Sequence, residues 1–89
     1  MAWKIELTAG ALKSLKKLDK AVSKRILQFL EERVAVQEDP RSLGEALKGS
    51  TLGEFWKYRV GDWRVICSIE DKKVLIYVLK VGNRREIYK

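Results

Sequence analysis

The chain has 89 residues, with 19 Lys and Arg against 12 Asp and Glu, one Cys and no His, and a net charge of +7. Without histidine, catalysis by a Ser-His-Asp or Cys-His set is excluded, as is the usual kind of zinc site. No apolar run reaches the roughly 18 residues of a membrane span, and MAWKIEL does not resemble a signal peptide. We therefore expect one cytoplasmic domain over residues 1–89, with no membrane contact. The positive charge favours a polyanionic partner, either nucleic acid or an acidic protein.

The N-terminal segment predicts a short strand followed by a basic helix. Trp3, Ile5 and Leu7 alternate with charged residues, as in a half-buried strand, and Thr8 is a suitable N-cap. Leucines then recur every third residue, and the intervening lysines face outward. This lysine stripe is either a solvated helix face or a contact surface for a nucleic-acid backbone. Its candidate RNA-binding members are Lys13, Lys16 and Lys17.

A second amphipathic helix is predicted after Asp19, which can act as its N-cap. Its apolar stripe runs from Val22 to Val34, and Pro40 ends it near Gln37 or Glu38. Two such helices in tandem form a hairpin that can cover one face of a sheet. The region after Pro40 is less regular, and we expect one helical turn there, formed by Leu43, Ala46 and Leu47.

The segment WKYRVGDWRVICSI, residues 56–69, predicts a β-hairpin with two unlike faces. Gly61-Asp62 forms the turn, because Gly accepts the positive φ that a two-residue turn needs. Arg59 then faces Arg64 across the hairpin, and Lys57 shares their face. The opposite face is apolar and includes Cys67, which we interpret as a packed, reduced thiol. The residues of that face are Trp56, Tyr58, Val60, Trp63, Val65 and Cys67.

The cluster of cations on this hairpin is itself informative. Like charges placed directly opposite each other destabilise a sheet by roughly 0.2–1 kcal/mol. Folding alone does not favour the pairing of Arg59 with Arg64, whereas an anionic ligand does.

A last strand is predicted from Val74 to Val81, after a polar turn and before the break at Gly82-Asn83. If Ile69 faces Val74, the side chains of Val74, Ile76 and Val78 join the core. The alternating residues would then lie beside the cations, namely Leu75, Tyr77, Leu79 and Val81.

The resulting order β-α-α-β-β-β predicts an α+β fold. We expect an antiparallel C-terminal meander in a four-stranded sheet, with an N-terminal helical hairpin packed on one face.

Two motifs then carry a resemblance to a known family. K-x-R-x-G-x-x-R spans residues 57–64, and V-G-x-R-x-x-x-Y spans residues 81–88. With the element order and Leu47-Lys48-Gly49 before the sheet, the chain resembles the RelE/ParE toxin superfamily, and within it the RelE-type toxins of type II toxin–antitoxin systems. Many relatives carry His where this chain has Asn83.

The resemblance implies a toxin that cleaves messenger RNA on the ribosome. RelE-type toxins are ribosome-dependent endoribonucleases that cut mRNA in the A site, beside small-subunit rRNA, and so inhibit translation. It implies a cognate antitoxin protein, with the toxin alone as a monomer and a hetero-oligomer with the antitoxin. It implies no metal and no cofactor. The implied catalytic residues are Lys57, Arg59, Arg64, Arg84 and Tyr88, and the implied RNA-binding residues include Lys48 and Arg85.

The chemistry of these residues is consistent with metal-independent attack of the 2′-hydroxyl on the adjacent phosphate. Arginine is a poor proton shuttle but stabilises phosphate charge by bidentate hydrogen bonds, so we assign Arg64 and Arg84 to the phosphate. Proton transfer is left to Lys57, Tyr88 and Glu86. Of these, Lys57 is the candidate base, because neighbouring cations favour the neutral form of a lysine. We interpret Glu86 as an ion-pair partner that orients Arg84 or Arg85.

Other interpretations remain open. The chain is alternatively a ParE-like inhibitor of DNA gyrase, a non-catalytic basic RNA-binding module, or a toxin that has lost its activity. Tyr88 is alternatively a packing anchor, and Lys48 a solvated loop lysine. We also expect Leu75, Tyr77 and Leu79 to be partly exposed beside the cations, where an acidic amphipathic segment of an antitoxin could cover them.

Overall fold

The computed structural model of the protein describes residues 2–47 and 55–87. In chain order the elements are β1 (Lys4–Leu7), α1 (Ala9–Lys17), α2 (Lys20–Phe29), a π-helical turn (Leu30–Val34), a 3-10 turn (Pro40–Ser42), β2 (Glu45–Ala46), β3 (Phe55–Val60), β4 (Trp63–Glu70), a second 3-10 turn (Asp71–Lys73) and β5 (Leu75–Asn83).

The sheet has the predicted α+β arrangement with one additional strand. Its order is β1-β5-β4-β3-β2, so the described residues form five strands rather than the expected four. β3, β4 and β5 form the predicted antiparallel meander, and β1 lies parallel to β5. The first strand of the chain is therefore the direct neighbour of the last one.

The two helices begin where the sequence predicts. Thr8 Oγ1 accepts a hydrogen bond of 3.0 Å from the backbone N–H of Ala11 and so caps α1. Asp19 occupies the N-cap position of α2, although its side chain makes no capping hydrogen bond. The π-helical turn ends at Val34, earlier than predicted. Just after this end, the Ala35 carbonyl accepts a 2.7 Å hydrogen bond from the backbone N–H of Trp3.

The helical turn predicted around residues 43–47 is wrong. Glu45–Ala46 is an edge strand, β2, which pairs antiparallel with β3. Gly44 has a φ of +73°, a conformation that favours glycine, and its backbone lies against the Lys57 carbonyl. Trp56 Nε1 also donates a 2.6 Å hydrogen bond to the Leu43 carbonyl. These tertiary contacts to β3 override the local helical pattern.

The hairpin register is confirmed in every predicted pair. Val60 lies opposite Trp63, Arg59 opposite Arg64, and Tyr58 opposite Val65. The predicted apolar face forms the core together with the helices, and Cys67 is fully buried in it. Burial raises the pKa of the Cys67 thiol to about 12, so this thiol stays protonated at neutral pH.

The register predicted for β5 is wrong. Ile69 pairs with Ile76, and Val74 lies in a left-handed turn with a φ of +50°. A bulge lies further along the strand, because Ile66 pairs with Lys80 while Cys67 pairs with Val78. The additional residue, Leu79, reverses the alternation of side chains. Val81 therefore returns to the core, rather than lying beside the cations as predicted.

The helices lie on one face of the sheet, as predicted. α1 contacts β5 and α2 contacts β3, and buried side chains of both helices join the core cluster. We call the other side of the sheet the open face. No helix within residues 2–47 and 55–87 is long and apolar enough to cross a membrane.

Candidate functional site

Two cross-strand rows place charged side chains on the open face. In the first row Arg59 of β3 lies opposite Arg64 of β4, which lies opposite Gly82 of β5. In the second row Glu45 of β2 lies opposite Lys57, which lies opposite Ile66. Cross-strand partners share a face, so the sheet itself brings Lys57, Arg59 and Arg64 together.

The guanidinium of Arg64 is held at the hairpin turn. Its Nη1 donates two hydrogen bonds of 3.0 Å, one to the Gly61 carbonyl and one to the Trp63 carbonyl. These bonds fix the side chain beside the turn, although it is only half-buried. A guanidinium carries five N–H donors in a rigid fork, and both of these bonds come from Nη1. An arginine oriented in this way is suited to bidentate binding of a phosphate.

The turn after β5 is joined to the same hairpin. The backbone N–H of Arg84 donates a 2.9 Å hydrogen bond to the Asp62 carbonyl, and Arg84 Nε lies 3.9 Å from Asp62 Oδ1. These contacts bring Arg84 beside Arg64 from a distant part of the chain. Arg25 of α2 is another cation close to the hairpin turn. A Cβ atom added to Gly61 would lie 3.4 Å from Arg25 Nη1.

The residues after β5 fold back onto the open face. Asn83 Oδ1 accepts a 3.0 Å hydrogen bond from the Arg85 backbone, and the Asn83 carbonyl accepts from Glu86 and Ile87. Ile87 is buried, and its Cδ1 lies 3.1 Å from where a Cβ on Gly82 would be. Glycine at position 82 thus leaves room for Ile87 beside the row of arginines. The side chain and carbonyl of Asn83 together stabilise this turn.

These elements enclose a cleft of about 800 Å³, which we call the cationic cleft. The cleft is lined by residues of α2, the Leu43–Glu45 segment, β3, β4 and the turn after β5. The described lining residues are Phe29, Leu43, Gly44, Glu45, Lys57, Tyr58, Arg59, Arg64, Arg84 and Arg85.

One carboxylate, Glu45, lies among the described residues of the cationic cleft. Glu45 Oε1 is 3.2 Å from Lys57 Nζ, and the two residues are cross-strand partners. The Lys57 side chain is 21% exposed and that of Glu45 is 63% exposed, so the carboxylate lies at the rim. Sequence reasoning missed Glu45 because it lies in the segment predicted to be helical. The two residues of β2 are too few to show an alternating pattern, so the sequence carried no local signal for this contact.

The predicted RNA-binding lysines of α1 lie elsewhere. Lys13, Lys16 and Lys17 are exposed on the helix layer, on the other side of the sheet, and none of them lines the cationic cleft. Lys48 and Tyr88 lie outside the described residues. Arg85 lines the cleft.

Two expectations about the surroundings of the cleft are corrected. Within the described ranges no ion pair joins Glu86 to Arg84 or Arg85, and Arg84 is paired with Asp62 instead. Leu75 is buried rather than partly exposed, whereas Tyr77 is 38% exposed on the open face. The backbone of the Asn83–Ile87 turn, rather than a carboxylate of Glu86, orients this segment.

The cationic cleft can bind a phosphodiester backbone. Its described lining includes the side chains of one lysine and four arginines, against one carboxylate. No group of three or more His, Cys, Asp and Glu that could hold a metal ion is found in residues 2–47 and 55–87. The arrangement therefore provides fixed cations that can neutralise charge on a phosphate.

Comparisons with known proteins identify the family. Residues 5–88 match the model of the ParE toxin of type II toxin–antitoxin systems. The chain is 31% identical to the mRNA interferase toxin RelE of Escherichia coli (strain K12), over 99% of this chain and 92% of that protein. A mutant of Escherichia coli RelE in the free state superposes with a TM-score of 0.76 at 28% identity, over 99% of this chain and 92% of that one. The RelE of the archaeal RelE–RelB complex from Pyrococcus horikoshii gives a TM-score of 0.69 at 28% identity, over 97% and 99%. The chain therefore belongs to the RelE/ParE superfamily of type II toxin–antitoxin toxins.

Proposed function

We propose that this protein is the toxin of a type II toxin–antitoxin module and acts as a ribosome-dependent endoribonuclease on messenger RNA. The observation that carries the proposal is the convergence of Lys57, Arg64 and Arg84 in one cleft, from three separate elements. The 31% identity to a protein named mRNA interferase supports the choice of RNA as substrate. Residues 1–89 act as a single toxin domain in this proposal, and its site of action is the cytoplasm.

In this mechanism the 2′-hydroxyl of a messenger nucleotide attacks the adjacent phosphorus. The 2′-oxygen forms a new bond to phosphorus while the bond to the 5′-oxygen of the next nucleotide breaks. A base removes the 2′-hydroxyl proton, and an acid protonates the departing 5′-oxygen. The products are a 2′,3′-cyclic phosphate and a 5′-hydroxyl end.

Each step has a candidate residue in this chain. Arg64 and Arg84 stabilise the charge that develops on the phosphate, and Arg59 supports phosphate binding. Lys57 in its neutral form is the candidate base, and Tyr88 is the candidate acid or a stacking group for a nucleobase. None of these groups is a strong acid or base in its free form. The ribosome supplies the remaining orientation of the messenger, and we expect slow or no cleavage of free RNA.

The other basic residues serve RNA binding in the same proposal. Arg85, which lines the cleft, contacts the messenger, and Lys48 is a further candidate contact. Lys13, Lys16 and Lys17 lie on the opposite layer of the protein, where small-subunit rRNA around the A site is the available polyanion.

The proposed regulatory partner is a cognate antitoxin protein that binds the toxin as a hetero-oligomer, whereas the free toxin is a monomer. Similar folds occur in solved toxin–antitoxin complexes such as the archaeal RelE–RelB complex. The cleft and the neighbouring Tyr77 offer charge and an exposed ring to an acidic amphipathic segment.

The proposal is tested with purified ribosomes, programmed messenger and primer extension. The wild-type protein should cut in register with codons in the A site. Arg64→Ala and Arg84→Ala should each lower the single-turnover rate by about 10²–10³, the usual effect of removing one group that stabilises transition-state charge. Arg33→Ala is the matched control, because Arg33 is exposed on the helix layer and does not line the cleft. Full activity of both site variants would contradict the enzyme assignment.

A second function, inhibition of DNA gyrase, is kept because the matching family model describes a ParE toxin. The same preparations distinguish the two functions. Inhibition of gyrase supercoiling without codon-register cleavage would replace the nuclease proposal. RNA binding without either activity would indicate a non-catalytic module or a toxin that has lost its activity.

A further inference from the structure

The carboxylate of Glu45 lies within contact distance of Lys57, at the rim of the cationic cleft. Its Oε1 lies 3.2 Å from Lys57 Nζ, within the distance of a charged contact to a phosphate oxygen. The pairing of Glu45 with Lys57 across β2 and β3 directs both side chains to the open face. An internal anion therefore already lies beside one of the cleft's cations.

The exposure of the Glu45 side chain indicates that its contact with Lys57 is replaceable, although Lys57 itself is largely covered. The Glu45 side chain is 63% exposed and lies on a two-residue edge strand. Exposed ion pairs are weak, because water screens the attraction and two long side chains must be held in place. Arg64 is different, since carbonyl groups of the hairpin turn fix its guanidinium.

The negative charge of Glu45 should weaken the binding of a phosphate in the cationic cleft. Among the described residues of the cleft it is the acidic side chain in a group of cations. A phosphate that approaches Lys57 must displace this carboxylate or lie beside it, and either event weakens binding.

We propose that Glu45 is an internal competitor for RNA phosphate at Lys57, and that it restrains binding of the cleft to free RNA. This inference rests on the proposed function, because it takes the cleft to be the RNA site. Tight binding then requires the additional contacts that the ribosome provides. Glu45 acts through Lys57 and is a positioning residue rather than a catalytic one.

The test measures binding of a single-stranded RNA oligonucleotide by fluorescence anisotropy across a range of KCl concentrations. All its 2′-hydroxyl groups are methylated, so it cannot be cleaved. Glu45→Gln should bind about threefold to tenfold more tightly than wild type at about 50 mM KCl, because one like charge beside the phosphate is removed. The plot of log affinity against log salt should steepen by about 0.7, which reduces the advantage by about threefold between about 50 and 200 mM.

Two controls separate this effect from a general change of charge. Glu31→Gln changes the net charge by the same amount, but Glu31 is exposed in the π-helical turn and does not line the cleft. It should give a clearly smaller gain. In a Lys57→Gln background the gain from Glu45→Gln should disappear, because the competition needs the Lys57 ammonium group. Thermal unfolding of each variant verifies that the fold is retained.

The outcomes are distinct. Affinity of Glu45→Gln equal to that of Glu31→Gln or wild type would overturn the inference, as would a gain that persists without Lys57. Weaker binding by Glu45→Gln would also overturn it and would show that the carboxylate helps Lys57 to hold RNA. Cleavage of ribosome-bound messenger is measured on the same proteins. Absence of cleavage by the wild-type protein would contradict the proposed function. The comparison of oligonucleotide affinities would still test the role of Glu45.

Discussion

The two faces of the β3–β4 hairpin are made by alternate residues of the same strands, yet they are held in different ways. On the core face Tyr58, Val65 and Cys67 are fully buried, and each is surrounded by side chains from several elements. On the open face Arg59 and Arg64 lie directly opposite each other, an arrangement that disfavours folding. One pair of strands therefore carries both the stability of the protein and the charges of its site, and the two can be changed separately.

The largest expected effect comes from the core face. Tyr58 is fully buried, lies edge-on to Phe29 with ring centroids 6.1 Å apart, and donates a 2.8 Å hydrogen bond to the Pro40 carbonyl. Tyr58→Ala should lower the free energy of unfolding in urea by about 3–5 kcal/mol. Tyr58→Phe should cost about 1–3 kcal/mol, because the Pro40 carbonyl loses its partner. Equal losses in the two variants would show that the ring contributes little.

A smaller effect of opposite sign is expected on the open face. Arg59→Thr removes one of the two opposed charges and places a β-branched residue in a strand. The free energy of unfolding should rise by roughly 0.2–1 kcal/mol, while affinity for the methylated RNA falls. Lys80→Thr is the control, since Lys80 lies on the same face but opposite Ile66. A loss of stability in Arg59→Thr would contradict the view that this face is arranged for a ligand.

The smallest effect is expected at the protein surface, at the exposed contact between Arg41 and Asp71. Arg41 Nη1 and Nη2 donate hydrogen bonds of 3.0 and 2.8 Å to the two carboxylate oxygens of Asp71. The hydrogen bonds from Arg41 lower the pKa of Asp71 in the folded state. This contact therefore stabilises the protein fully above the unfolded-state pKa of Asp71, and the stabilisation is lost as the pH falls through the lower folded-state pKa.

The measurement is the urea midpoint from about pH 7 to pH 2, for wild type and Arg41→Ala. The difference between the two proteins should be present near neutral pH and close to zero at the acidic end. A difference that stays constant with pH would assign the effect of Arg41 to packing alone.

The same comparison of faces explains what the sequence could predict. The hairpin register followed from Gly61, because a two-residue turn fixes every cross-strand pair after it. The sequence alone therefore predicts that Arg59 lies opposite Arg64, as the structure shows. No two-residue turn precedes β5, so its register could not be predicted in the same way. The bulge at Leu79 also reverses the alternation of side chains, and the sequence pattern does not show where a bulge lies.

The site was predicted less completely than the fold. Arg64 and Arg84 were singled out by motif. The structure adds that both contact the hairpin turn, Arg84 through the Asp62 carbonyl and Arg64 through the Gly61 and Trp63 carbonyls. Glu45 was missed because a two-residue strand has too few side chains to show a period. The position of Glu45 depends on the preceding residue, Gly44, whose backbone packs closely against Lys57 of β3. This contact joins residues that are distant in the sequence. Long-range contacts of this kind are not encoded in any local window of sequence.

The parallel pairing of β1 with β5 has a consequence for synthesis of the chain. β1 is translated first, and its neighbour β5 is completed only at Asn83. Sheets built from such distant partners form late, because a long loop must close before any pair is gained. The turn that carries Arg84 follows β5 directly. A nascent chain therefore cannot complete the cationic cleft until the turn after β5 has been synthesised, so translation itself delays the formation of the site in each new molecule.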